Sequence, residues 1–255
     1  VSDLRLLARQ VRFTNRAFWR NPASAFFTFA FPLLFLVIFT TLLGGGQTRR
    51  GGIAYDNDTY YVVSMAAFGL IQACYTNIAM SVVFAREEGV LKRLRATPFP
   101  VWAYLGARVV HAVLVAFALV AITVGFGVLV YGVGLPGGAD LFRFLTTLVV
   151  GASCFTAIGL AVSGFVPNAE AAPPIVNVVM LPLLFLGLFI PIGDDAPAWI
   201  ARLADVFPVK HFFDAAFTSF LGAPGFEWLD VSILGLWLAG ALVVGVRRFR
   251  WEPSR

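Results

Sequence analysis

Nineteen consecutive residues, Ala25 to Leu43, carry no charge. A run of that length has few places to go. A helix of about 20 apolar residues matches the roughly 30 Å hydrocarbon core of a bilayer, whereas a soluble surface helix would interrupt it with polar residues every turn. Five further apolar runs follow, at Tyr60–Ala85, Val101–Tyr131, Phe144–Val166, Pro174–Ile192 and Leu229–Val246. Composition agrees: 13% of the 255 residues are charged and 59% are hydrophobic, against about 25% charged in soluble domains. The expected fold class is therefore all-α, a polytopic membrane protein with six transmembrane helices in a single transmembrane domain. Phe31-Pro32 marks a kink in the first span. Pro173-Pro174 suits the first turn of the fifth, and Trp228 with Arg247-Arg248 anchors the ends of the sixth.

The basic residues set an orientation. Arg5, Arg9, Arg12, Arg16 and Arg20 precede the first span, Arg86, Lys92, Arg93 and Arg95 lie between the second and third, and Arg247, Arg248, Arg250 and Arg255 follow the sixth. The alternate connections hold Arg49, Arg50, Arg143, Arg202 and Lys210. The excess on one side places both ends of the chain and the 86–97 segment in the cytoplasm. The protein is expected in a plasma membrane as a multi-pass protein. The net charge of +5 is clustered at the ends of apolar runs, so it orients spans rather than binding nucleic acid. The first 24 residues contain five Arg and no apolar core, so no cleavable leader is expected there.

Residues 1–22 have their own pattern. On a helical wheel Leu4, Leu7, Val11 and Phe18 gather on one side, and Arg5, Arg9, Arg12, Arg16 and Arg20 lie about 160° away. Such a helix lies in the inner membrane interface with its arginines toward cytoplasm and lipid phosphates. It serves either as an anchor or as a lever for a cytoplasmic partner. Across the membrane, 193–227 is too apolar for a loop. Phe213, Phe217 and Phe220 recur at helical spacing, Lys210 and Asp214 form an i,i+4 pair, and Pro208 divides two helical pieces. These read as re-entrant or interfacial helices on the outer end.

Missing chemistry narrows the function. The two lysines, Lys92 and Lys210, do not follow glycine, so GxxxxGK[ST] is absent and with it the Walker phosphate cradle. The two histidines, His111 and His211, form no HExxH, and no GxSxG occurs. Cys74 and Cys154 lie in apolar runs without CxxC spacing and read as core residues. No catalytic or metal-ligating set is expected, and the chain is not expected to be an enzyme. Proton coupling usually needs ionisable groups at mid-membrane. No candidate span has an acidic residue near its middle, and Glu170 falls in the fourth connection. Arg108 is near enough to the inner end of span three to snorkel, and His111, one turn deeper, is read as satisfied by a backbone carbonyl rather than as a relay. The polar residues within spans are Gln72, Thr76, Asn77, Ser153, Thr156 and Asn177. They read mostly as bonds between helices, and some as the lining of a substrate path.

One dense patch remains, "REEGVLKRLRATPFP" from Arg86 to Pro100. Val90, Leu91 and Leu94 share an apolar side, and Glu88 precedes Lys92 in the favourable i,i+4 order. Arg93 and Arg95 suit the C-terminal end of the helix dipole, and Thr97-Pro98 with Pro100 stops the helix. Gly89 implies a bend or a close approach. Positive-inside bias explains the basic residues but not Glu87 and Glu88, which add little to orientation. A stiff, mixed-charge element backed by Leu91 and Leu94 reads as a docking surface.

This segment resembles the signature of permease subunits in the type-two ABC exporter family, where a similar Arg-Glu-Glu-Gly-x-Leu-Lys-Arg-Leu-Arg-x-Thr-Pro run follows the second of six spans. "FPVKHFFDAAF" at Phe207–Phe217 is similar, more loosely, to that family's segment before its last span. The resemblance implies two permease copies around a central path, as a homodimer or pseudo-dimer. Each would rest on a separate ABC ATP-binding subunit that holds ATP and Mg, with no cofactor in this chain. It implies that Arg86, Glu87, Glu88, Gly89, Leu91, Lys92, Arg93, Leu94 and Arg95 form a coupling helix against that subunit. Arg5, Arg9, Arg12 and Arg16 would be a second contact. Spans two and five would line the path, with Phe68, Gln72, Tyr75, Asn177 and Met180 as candidates for substrate contact. The substrate class implied is amphiphilic or hydrophobic. A membrane scaffold without an ATPase, or a proton-coupled carrier, stays open as an alternative.

Overall fold

The apolar runs form helices, and Gly, Pro and Asn mark the breaks between them. The computed structural model describes residues 3–50, 53–96, 101–184, 198–223 and 227–248. Helix α1 (Asp3–Trp19) is followed by α2 (Pro22–Leu43), whose proline occupies the first turn where its missing N–H costs nothing. Pro32 lies inside α2, which continues past it. A two-stranded antiparallel hairpin follows, β1 (Gln47–Arg50) with β2 (Ile53–Asp56), pairing Arg50 with Ile53 and Gln47 with Asp56. The second span is one 31-residue helix, Asn57–Glu87, made of α3 (Asn57–Ile71), a π-turn at Gln72–Thr76, and α4 (Asn77–Glu87). After it come α5 (Val90–Arg95), α6 (Val101–Tyr131), α7 (Gly138–Ser163), α8 (Ala172–Leu184), α9 (Ala198–Val206), α10 (Pro208–Leu221) and α11 (Trp228–Arg248).

Five of these helices are long and apolar enough to cross a membrane, and α8 is a shorter apolar one. The expected fifth span, Pro174–Ile192, is seen from its start through Leu184; its remainder, 185–192, lies outside the described residues. So do 97–100, 193–197, Arg250 and Arg255, along with the side chains of Arg49, Arg50 and Arg95. The fold is all-α apart from the hairpin. The expected coupling helix 86–97 is not one helix. Arg86 and Glu87 end α4, Gly89 turns the chain, and α5 is a separate six-residue helix.

Span two is the centre of the bundle. Every residue from Tyr60 to Ile71 is buried, with α2, α6 and α10 packed on α3, and α7 on the π-turn and α4. Lipid offers no hydrophobic drive between helices, so close approach by small residues has to hold them together. Gly159 of α7 shows this: a Cβ there would stand 2.7 Å from the Tyr75 carbonyl oxygen. The peripheral helices have the opposite character. Phe26, Phe27 and Leu42 on α2, and Leu229, Leu236 and Val246 on α11, are exposed, as a lipid-facing surface allows.

The two ends differ. At one, here called the hairpin end, Tyr55 of β2 packs edge-on to Phe217 of α10 with centroids 4.9 Å apart, and Tyr60 meets Phe213 at 5.1 Å. Pro208 separates α9 from α10, and Phe213, Phe217 and Phe220 are buried. Lys210 does not pair with Asp214 as its spacing suggested; its ammonium bonds Asp205, because the break at Phe207 folds α9 back within its reach. His211 is 6% exposed, with Nδ1 2.6 Å from Asp230 Oδ1 and Nε2 2.7 Å from the Asp205 carbonyl oxygen. One ring thus ties α10 to both α9 and α11. The opposite end, here the basic end, carries α1, α5 and the arginine-bearing end of α11.

Candidate functional site

At the basic end the chain leaves span two through a left-handed turn. Glu88 caps α4, and Gly89 has φ +67°, a conformation that costs a side-chain-bearing residue about 1–2 kcal/mol. A Cβ at Gly89 would meet nothing within 4 Å, so the glycine serves the bend and not a close approach. Beyond it Leu91, fully buried, packs against Ala85 and Tyr104, with Val90 and Leu94 partly covered. That contact seats α5 on spans two and three. Glu87, Glu88, Lys92 and Arg93 are left exposed. The break at Gly89 removes the continuous helix on which a Glu88–Lys92 i,i+4 pair would rest.

Arg86 is elsewhere. It is 1% exposed, and its guanidinium donates from Nη1 to the Ser163 carbonyl oxygen at 3.1 Å and from Nη2 to that of Val166. The sequence groups it with the docking residues because it adjoins them. The helix turns it inward instead, one position before the exposed Glu87.

Arg108 does not snorkel freely. Its Nη1 donates to the Ser81 carbonyl oxygen at 3.0 Å, its Nη2 to the Tyr104 hydroxyl, and its guanidinium lies 4.8 Å from the Tyr104 ring centroid. On α1, Arg5, Arg9, Arg12 and Arg16 are exposed, as is Arg20 just past its end, and the apolar side faces α6. Phe18 packs edge-on to His111 with centroids 5.3 Å apart. His111 is 5% exposed, and its Nδ1 has no hydrogen-bond partner among the described residues. The carbonyl expected for it does not reach that nitrogen among the described residues.

The π-turn builds a second feature at mid-span. Its wide turn closes from the Asn77 N–H to the Gln72 carbonyl, which brings Gln72 and Asn77 to one side of the helix. The Thr76 hydroxyl donates to Gln72 Oε1 at 2.5 Å. These three uncharged polar residues line a cavity of about 470 Å³, with Phe18, Phe27, Phe31 and Phe68 among its walls. The arrangement offers amide and hydroxyl groups inside an aromatic cradle, without a charge in the lining.

The five path candidates separate. Phe68 and Gln72 line this cavity. Tyr75 is fully buried and donates its hydroxyl to the Val176 carbonyl oxygen, and Met180 is buried in the core. Asn177 is on the exposed side of α8, away from the cavity. Thr76 and Asn77 enter the site because of the π-turn; the polar triplet Gln72, Thr76, Asn77 at mid-span was the signal available in the sequence. No cluster of His, Cys, Asp and Glu suited to a metal is found among the described residues.

Comparison with known proteins agrees with a multi-pass membrane chain. Residues 5–221 match the family model described as ABC-2 type transporter. The chain is 28% identical over 136 residues to the probable multidrug ABC transporter permease YbhR of Escherichia coli (strain K12), covering 53% of this chain and 36% of that protein. It is 27% identical over 224 residues to the daunorubicin resistance ABC transporter permease protein DrrB1 of Streptomyces coeruleorubidus, covering 84% and 73%. It thus spans little more than a third of the first of these relatives. The family model covers most of this multi-pass membrane chain, which belongs to the ABC-2 type transporter family.

Proposed function

We propose that this chain is the permease subunit of an ATP-driven ABC exporter, worked by a separate ATP-binding subunit and paired with a second permease copy. The observation that carries the reading is the 87–96 turn. It presents Glu87, Glu88, Lys92 and Arg93 on an element held rigid by Leu91, in a chain whose sequence has no phosphate-binding loop. The basic end faces the cytoplasm by the positive-inside bias, which puts this turn and the arginines of α1 on the side where ATP is found. ATP and Mg belong to the partner subunit, and so does hydrolysis. Alternating access follows: closure of the ATP-binding pair drives the two turns together and reshapes the path between copies.

The substrate is an amphiphilic or hydrophobic molecule. An uncharged polar cluster walled by phenylalanines suits a planar apolar body with a few hydrogen-bonding groups. The names of the relatives, multidrug and daunorubicin resistance permeases, support the same class.

The test is co-expression with the Walker-motif ATPase expected in the adjacent reading frame, then reconstitution of the complex into lipid vesicles. ATP-driven accumulation of daunorubicin, followed by its fluorescence, is the expected result. Gln72→Leu should lower it several-fold without loss of the complex. A chain that holds no ATP-binding subunit is a scaffold, and the reading fails. Accumulation that persists without ATP and collapses in His111→Ala identifies a proton-coupled carrier instead.

A further inference from the structure

A fully buried arginine in a membrane protein is tolerated only where its donors find acceptors. Arg86 finds two of them, through Nη1 and Nη2, at the end of α7 and in the turn that follows it. Ser163 is the last residue of α7, and Val166 lies in the turn that leads to α8. Carbonyls at a helix C-terminus lack intrahelical partners, and a cation there meets the negative end of the helix dipole. A left-handed glycine commonly closes such an end, but Gly164 has φ −70°. The arginine of span two therefore caps span four. Around it Val83 of α4, Val166 of the turn and Ala172 of α8 pack in one buried cluster. Further along the membrane, Tyr75 bonds Val176 of α8 at 3.1 Å.

The exposed turn is thus held twice: Leu91 joins it to spans two and three, and Arg86 joins its root to α7 and the turn that leads to α8. We propose that Arg86 is a positioning residue that carries displacement of the 87–96 turn into the α7–α8 end of the bundle, and that it is not part of the docking surface. The proposal rests on the reading that an ATP-binding subunit works this turn. Without the Arg86 clasp, the root of the turn would keep only apolar packing against α7 and α8.

Two measurements on the reconstituted complex test it. In the wild-type complex, hydrogen–deuterium exchange with and without ATP plus vanadate should change in both 86–96 and 164–172. A response confined to 86–96 overturns the proposal. Arg86→Gln should keep the ATP-binding subunit bound and hydrolysing, while ATP-driven dye accumulation falls by about tenfold, within the usual range of coupling between sites. Arg86→Lys keeps a donor for one carbonyl and should fall between the two. If Arg86→Gln sheds the ATP-binding subunit, or transports normally, the residue is not the link. If Arg86→Gln does not insert, the exchange result and Arg86→Lys decide. Failure of the wild-type chain to hold an ATP-binding subunit is a separate result, which removes the underlying reading and this proposal with it.

Discussion

The Tyr75 hydroxyl donates to the backbone carbonyl of Val176, 3.1 Å away and 101 residues along the chain, with the ring fully buried. Tyr75 is therefore a strut between span two and α8. Tyr75→Phe keeps the ring and loses the bond, which should cost about 1 kcal/mol in a membrane interior. The melting temperature in detergent should fall by a few degrees, roughly what that loss produces in a protein of this size. An unchanged melting temperature would falsify the strut.

The exposed acidic pair gives a second prediction. Glu87→Arg combined with Glu88→Arg leaves Leu91 and Arg86 untouched, so insertion and the melting temperature should stay as in the wild type. Association with the ATP-binding subunit should be lost, since like charges facing each other across an interface cost several kcal/mol. Co-purification is the readout, and normal binding by the double variant rules out docking through these carboxylates.

Gly89→Ala separates backbone from contact. Nothing crowds the site, so the penalty is conformational alone, about 1–2 kcal/mol. The turn should relax and misplace α5, weakening partner binding about tenfold or more for that cost, while α3, α6 and α7 keep their packing. Full-strength binding in Gly89→Ala would mean that the turn does not require its left-handed geometry.

At the hairpin end His211→Ala should destabilise the protein by about 2 kcal/mol, the range for charge-assisted hydrogen bonds. Both ring nitrogens are engaged, and Asp230 is 15% exposed on its side chain. Limited proteolysis should then cut first near α9, which keeps only the Lys210–Asp205 tie to α10. Protease resistance equal to the wild type would show that the ring is dispensable.

Much of this architecture was legible because bilayer physics is blunt. A charge-free stretch such as Ala25–Leu43 has one stable use. Face assignments were harder. Arg86 and Glu87 are neighbours in sequence, yet one is buried and the other exposed, because a step of about 100° separates adjacent residues on a helix. The Lys210–Asp205 pair depends on a chain reversal at Phe207 that i,i+4 spacing ignores. The hairpin had a signal in Arg50-Gly51-Gly52-Ile53, since Gly-Gly is a two-residue hairpin loop, but it was masked by the weight of apolar helix around it. The π-turn left no such mark. It lies against α7, where Gly159 meets the Tyr75 backbone.

That turn sets the phase of span two. Wound as a regular α-helix, the same residues would rotate α4 by about 100° relative to α3. Arg86 would swing off Ser163, and Leu91 would leave its seat beside Tyr104. One surplus residue at mid-membrane lets a single continuous rod show Phe68 to the cavity and Arg86 to α7 at once. Span two is therefore a shaft with a fixed twist, and its angular setting is stored in the middle, far from either end.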